Sequence, residues 1–132
     1  MRYDDFIRRV RRRADLESDD RAVSVAHVVL GTLGECLYRT EREKLAAELP
    51  KELKDARCAE RRPENRRQGI ERARLGEFFN RVRARAGTGG RDTETCTRAV
   101  LSALREAVSP GTMEAVLETL PGEYDTLLRP GA

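Results

Sequence analysis

Apolar positions along the chain recur with the helical period. Tyr3, Phe6, Ile7, Val10 and Ala14 fall at i, i+3, i+4, i+7 and i+11, one stripe with arginines on the opposite face, and predict an amphipathic first helix. Ala22, Val25, Ala26, Val29, Leu30, Leu33 and Leu37 form a broader stripe, which predicts a second helix as the most buried of its group. Ser18 and Asp19 suit its N-terminus, Thr40 with Glu43 fits a capping box for a third helix, and Pro50 stops that helix so that Leu53 turns back onto the core. No segment alternates with period two, so the expected class is all-α.

The same pattern is then written again. YDDFIRRVRRRA at residues 3–14 aligns with LGEFFNRVRARA at residues 75–86, an offset of 72 that sets Phe6, Val10, Arg13 and Ala14 on Phe78, Val82, Arg85 and Ala86. At an offset of 71, AHVVLGTLGECL (26–37) meets TRAVLSALREAV (97–108), with Glu35 on Glu106, and LAAELPKEL (45–53) meets VLETLPGEY (116–124). Asp92 and the Ser109, Pro110 pair are the corresponding helix starts. Three blocks in one order read as a tandem duplication of a three-helix unit: a first repeat over residues 1–56, a linker over 57–74 and a second repeat over 75–132. A unit of about 60 residues is marginal alone, because it buries only about 60% of its unfolded surface. The expected architecture is therefore one helical bundle with the repeats in a pseudo-twofold relation, which would lay the flatter apolar faces of the second helices together; a side-by-side array fits the same pattern.

Charge changes this picture little in total and more in its distribution. The 132 residues carry 26 Lys+Arg and 23 Asp+Glu, a net charge of +3, and 23 of the cations are arginine. The excess lies in RCAERRPENRRQGIERAR (57–74), which is +4 between a neutral first repeat and a second at −1. With 37% charged residues, a mean hydropathy of −0.67 and no apolar run near the ~18 residues of a spanning helix, a membrane protein is excluded. The opening MRYDDFIRRV lacks the apolar stretch of a signal peptide, which makes the cytoplasm the expected compartment. Cys36, Cys58 and Cys96 form no CxxC and read as reduced thiols; with one histidine they make no zinc set.

Candidate chemistry is sparse. The only histidine, His27, adjoins the apolar run Val28, Val29 and Leu30 and reads as a structural helix residue, and no cysteine has a histidine at motif spacing. Cys36 and Cys96 align with small residues and read as packing groups, while Cys58 lies in the linker. Asp4, Asp5, Asp19 and Asp20 sit in first turns, where they favour the helix dipole. No phosphate-binding glycine motif is present, and the Gly87, Gly89, Gly90 loop reads as a turn. Catalytic, cofactor and metal sites are thus all expected to be absent, and no small-molecule substrate is evident.

The sequences YDDFIRRVRRRA, VVLGTLGECL and LAAELPKEL, followed by EFFNRVRARAG, TRAVLSALREAV and VLETLPGEY, resemble a bacterial and archaeal family of domains of unknown function, family 2267. The resemblance covers nearly the whole chain outside 57–74. It implies a helical, usually two-copy protein with an aromatic first helix and an LP stop in each half, and it carries over no catalytic residue. His27 stands where the other copy has Arg98, and the linker is unusually rich in arginine.

Two functional readings follow. The first is a non-enzymatic binding module acting on a protein partner or on itself. The alternative is sequence-independent nucleic-acid binding through Arg8, Arg9 and Arg12, on a face that also holds Arg11 and Arg13, together with Arg61, Arg62, Arg66 and Arg67. Interleaved acidic residues, and aromatics placed on apolar stripes rather than free to stack bases, favour the first.

Overall fold

The computed structural model of the chain describes residues 2–37, 39–50, 52–53, 75–87, 90–120 and 124, without the side chains of 90–92. Among them are six helices and no strand: α1 (Tyr3–Ala14), α2 (Asp19–Cys36), α3 (Arg39–Glu48), α4 (Leu75–Ala86), α5 (Gly90–Ala107) and α6 (Pro110–Thr119). The fold is an all-α bundle. The helices measure 12, 18 and 10 residues and then 12, 18 and 10 again. The expected linker, 57–74, lies outside the described residues.

Local chemistry sets the helix ends. Asp4 and Asp5 in the first turn of α1, and Arg11, Arg12 and Arg13 in its last, match the sign of the helix dipole. α1 stops at Asp15, whose left-handed backbone (φ 52°) turns its N–H back to the carbonyls of Arg11 and Arg12. α4 stops at Gly87 (φ 68°), 72 positions on, whose N–H reaches Arg83 O at 2.9 Å. Glycine takes that conformation freely and aspartate at some cost. Ser18 caps α2 by accepting from the Arg21 N–H at 3.2 Å, and Ser109 caps α6 by accepting from the Thr112 N–H at 3.4 Å, with Pro110 at the first helical position.

Two expected starts differ. α3 begins at Arg39, so Thr40 is already inside the helix, and Glu43 pairs instead with Arg39 at 3.0 Å. α5 begins at Gly90, two residues before Asp92. After α3, the Leu53 N–H bonds Pro50 O at 2.9 Å and carries Leu53 into the core. Tyr124 is equally buried and meets Phe78 edge to face, ring centroids 5.8 Å apart.

The two halves interlock. α2 and α5 touch, but the larger joints are crossed: α1 packs more extensively on α5 than on α2, and α4 more extensively on α2 than on α5. The width of the second-helix stripe explains this. Ten of the 18 residues of α2 are buried, enough surface to carry both first helices. Phe6, Ile7 and Val10 from α1, and Phe78 and Val82 from α4, enter one core with Val25, Val29, Leu33, Val100, Leu101 and Leu104. α3 and α6 pack together as a second joint between the halves. No helix among the described residues is long and apolar enough to cross a membrane.

Candidate functional site

Two sets of polar contacts between the halves are reciprocal. Arg85 of α4 donates Nη1 to Glu35 Oε2 at 2.5 Å and Nη2 to Glu35 Oε1 at 2.9 Å, with Nη1 also 3.1 Å from Thr32 Oγ1. Arg13 of α1 donates Nη2 to Glu106 Oε1 at 2.5 Å and Nη1 to Ser102 Oγ at 3.0 Å. Arg13 and Glu106 are the residues that align with Arg85 and Glu35. Their settings differ in depth. Glu35 keeps 7% of its side-chain surface and Glu106 keeps 30%, and Glu106 takes a second cation, Arg9. Burial pushes the Glu106 carboxyl up, but hydrogen bonds and charge from Arg13 and Arg9 outweigh it and hold the group below the ordinary carboxylate range. Glu35, hydrogen-bonded to Arg85, raises that guanidinium further against the desolvation that opposes it.

The α3 and α6 joint has the same reciprocity. Glu48 accepts from the Ser109 N–H at 2.6 Å and from the Thr112 hydroxyl. Thr119 donates to Glu41 Oε1 at 3.0 Å. A shift of 71 positions carries Glu41 to Thr112 and Glu48 to Thr119, so each contact is the exchange of the other. The Thr112 hydroxyl, then the Ser109 N–H, lower the Glu48 pKa. These carboxylates and hydroxyls fasten the halves to each other.

Where the first-helix ends meet, a groove of about 600 Å³ opens between the α1–α2 turn and the end of α4. Asp15, Glu17, Asp20 and Ser24 line one side, with Gly87 and the buried Cys96 on the other. Arg21, the groove's only cation among the described residues, donates Nη1 to Ala86 O at 2.9 Å and is held against the end of α4. The described wall therefore presents carboxylates and small residues to the opening. A second, apolar void of about 20 Å³ lies among Leu30, Leu33, Leu45, Leu49 and Leu53. It has room for little more than one water molecule and is a packing defect rather than a ligand site. In the other half, Arg105, Leu117 and Tyr124 stand where Gly34, Ala46 and Leu53 border it.

The first-helix arginines singled out by sequence are mostly engaged. Arg8 lies 3.9 Å from Asp5, Arg9 and Arg13 share Glu106, and Arg11 contacts Asp19 at 3.1 Å. Arg12 is exposed and has no acidic partner among the described residues. Arg61, Arg62, Arg66, Arg67 and Cys58 lie outside the described residues. His27 is half-buried on α2. Cys36 is buried with Sγ 3.5 Å from Thr32 O, and Cys96 is buried. Among the described residues no three His, Cys, Asp or Glu side chains gather as a metal-ligand set.

Sequence reasoning missed Glu35, Glu106, Glu41 and Glu48 as the groups that join the halves. The signal was present in the alignment of the two segments, since Arg13 with Arg85 and Glu35 with Glu106 are charged residues at aligned positions.

A family profile described as "Uncharacterized conserved protein (DUF2267)" matches residues 3–127. The chain belongs to this family. The match runs through both halves and the segment between them. Among curated proteins none matches.

Proposed function

We propose that this DUF2267 protein is a non-enzymatic binding module, built by tandem duplication about a pseudo-twofold axis, that holds a protein segment in the groove between the α1–α2 turn and Gly87. The groove carries the reading. Its volume lies in the range of pockets that enclose a ligand group, it is formed jointly by the two halves, and its described wall has three carboxylates beside a cation already engaged with Ala86 O. A partner segment bearing Lys or Arg complements that wall, with electrostatics setting specificity and encounter rate more than affinity. Nucleic-acid binding is the weaker reading, because four of the five arginines on α1 face carboxylates at 3.9 Å or less. The compartment in which the module acts is proposed to be the cytoplasm.

The test is affinity capture from the native cell with the full chain and with Ser24→Arg, a substitution of an exposed groove residue that places bulk and positive charge in the opening. The reading expects a partner retained by the wild type and lost by the variant at unchanged melting temperature. Equal retention by both contradicts it. A gel shift on duplex and single-stranded DNA at ~50 and ~200 mM salt checks the weaker reading, which requires binding that falls steeply with salt.

A further inference from the structure

The α3 and α6 joint distributes its chemistry unequally between the halves. Both carboxylates, Glu41 and Glu48, belong to the first half, and both hydroxyls, Thr112 and Thr119, to the second. The Arg and Glu pairs behave otherwise, since each half has one of each. Because the contacts exchange under the 71-position shift, two first halves placed in this geometry would set Glu48 against Glu41 twice. Two carboxylates at hydrogen-bond distance repel, so at neutral pH that contact is lost and both side chains turn to solvent. Two second halves would place Thr112 against Thr119, which is tolerable but lacks the charge-assisted bond. The Arg and Glu pairs would form in any of the three combinations, so they give adhesion without choice. Choice resides in the Glu and Thr contacts, where a wrong combination loses the hydrogen bonds, and two acidic halves add like-charge repulsion.

We propose that Glu41, Glu48, Thr112 and Thr119 are a pairing code that favours unlike halves, and that the surface they guard accepts in trans the complementary half of a second copy of this chain. The crossed packing makes the exchange direct: α1 rests chiefly on α5 and α4 on α2, so every large joint between halves is available to either chain. Twenty-one residues separate Leu53 from Leu75 and are the only covalent connection between the halves. A chain of that length, fully extended, reaches about 70 Å. Within one chain the tether gives each half an effective concentration of order mM, so the monomer prevails in dilute solution and the reciprocal dimer forms when pairing within the chain is weakened. The groove reading and this one are independent, because neither Ser24 nor Asp20 belongs to the α3 and α6 joint.

Two full-length variants test the code. Glu41→Thr with Glu48→Thr makes both halves hydroxyl-bearing, and Thr112→Glu with Thr119→Glu makes both acidic. Each has a mismatched joint within its own chain, yet the two together restore both sets of Glu and Thr contacts if they exchange halves. Refolded alone, the acidic variant is expected to melt about 3–5 °C below the wild type. Refolded as an equimolar mixture, the two are expected to give a mixed dimer, read by native mass spectrometry with one chain tagged, at least about tenfold enriched over differently tagged wild-type chains treated alike. The neutral variant Thr112→Gln with Thr119→Gln, similar in size to the acidic one, is expected to show no such enrichment. An acidic variant as stable as the wild type overturns the code, as does equal enrichment with the Gln variant. A mixture that holds only folded hydroxyl variant beside unfolded acidic variant overturns the exchange.

Discussion

Arg85 grips Glu35 with both terminal nitrogens while the aligned Arg13 grips Glu106, yet the two pairs lie at different depths: Glu35 retains 7% of its side-chain surface and Glu106 retains 30%. Removing one member of a buried pair strands the other without water, whereas an exposed partner is rehydrated. Arg85→Ala is therefore expected to cost about 2–3 kcal/mol, somewhat less than a fully buried pair because Arg85 keeps 43% of its own surface. Arg13→Ala is expected to cost about 1 kcal/mol or less. Urea melts of the two variants check this, and equal losses would contradict the assigned depths.

Thr97 is fully buried on α5, and its hydroxyl has no hydrogen-bond partner among the described residues. Its aligned residue in the first half is Ala26, equally buried, which shows that the position asks for no polar group. A buried hydroxyl without a partner costs about 1–3 kcal/mol of desolvation. Thr97→Val keeps the shape and is expected to raise stability by about 1 kcal/mol, seen as a higher melting temperature at an unchanged circular dichroism spectrum. A lower melting temperature would mean that the hydroxyl is satisfied.

All-α class, helix order and core stripes were legible because each depends on spacing within one segment. Ala22, Val25, Val29, Leu33 and the aligned residues of α5 recur at helical intervals whatever they face, and they are buried as their spacing demands. Ser18 and Ser109 were legible as caps for the same local reason. Crossed packing was not, since the stripe of α1 fits the surface of α2 or of α5 equally well by pattern. Nor was the groove, which depends on how the Asp15 and Gly87 turns, 72 positions apart, come to face one opening. Thr40 misled because a good capping residue one position inside a helix has the same sequence signature as one at its start.

Acid should loosen the joints between the halves. Glu48 and Glu106 are both lowered below the ordinary carboxylate value, the first by the Thr112 hydroxyl and Ser109 N–H, the second by Arg13 and Arg9 against the opposing effect of burial. A carboxylate lowered on folding lends stability above its unfolded pKa, near 4.3, and loses it as pH falls through the native value. The melting temperature is expected to hold between about pH 7 and 5 and to fall below about pH 4.3. Glu48→Gln with Glu106→Gln should melt lower at pH 7 and lose less between about pH 5 and 3 than the wild type. An identical acid profile for both proteins would remove these two groups as the cause.

Native-state hydrogen exchange on Phe6→Ala most directly tests whether the two halves form one interlocked bundle. Phe6 is fully buried on α1, and α1 rests chiefly on α5 of the other half. Loss of the ring should cost about 3–5 kcal/mol. The interlocked bundle predicts that the slowest amides of α5 lose protection by the same free energy as those of α1. Loss confined to α1 and α2, with α5 protected as in the wild type, would contradict it.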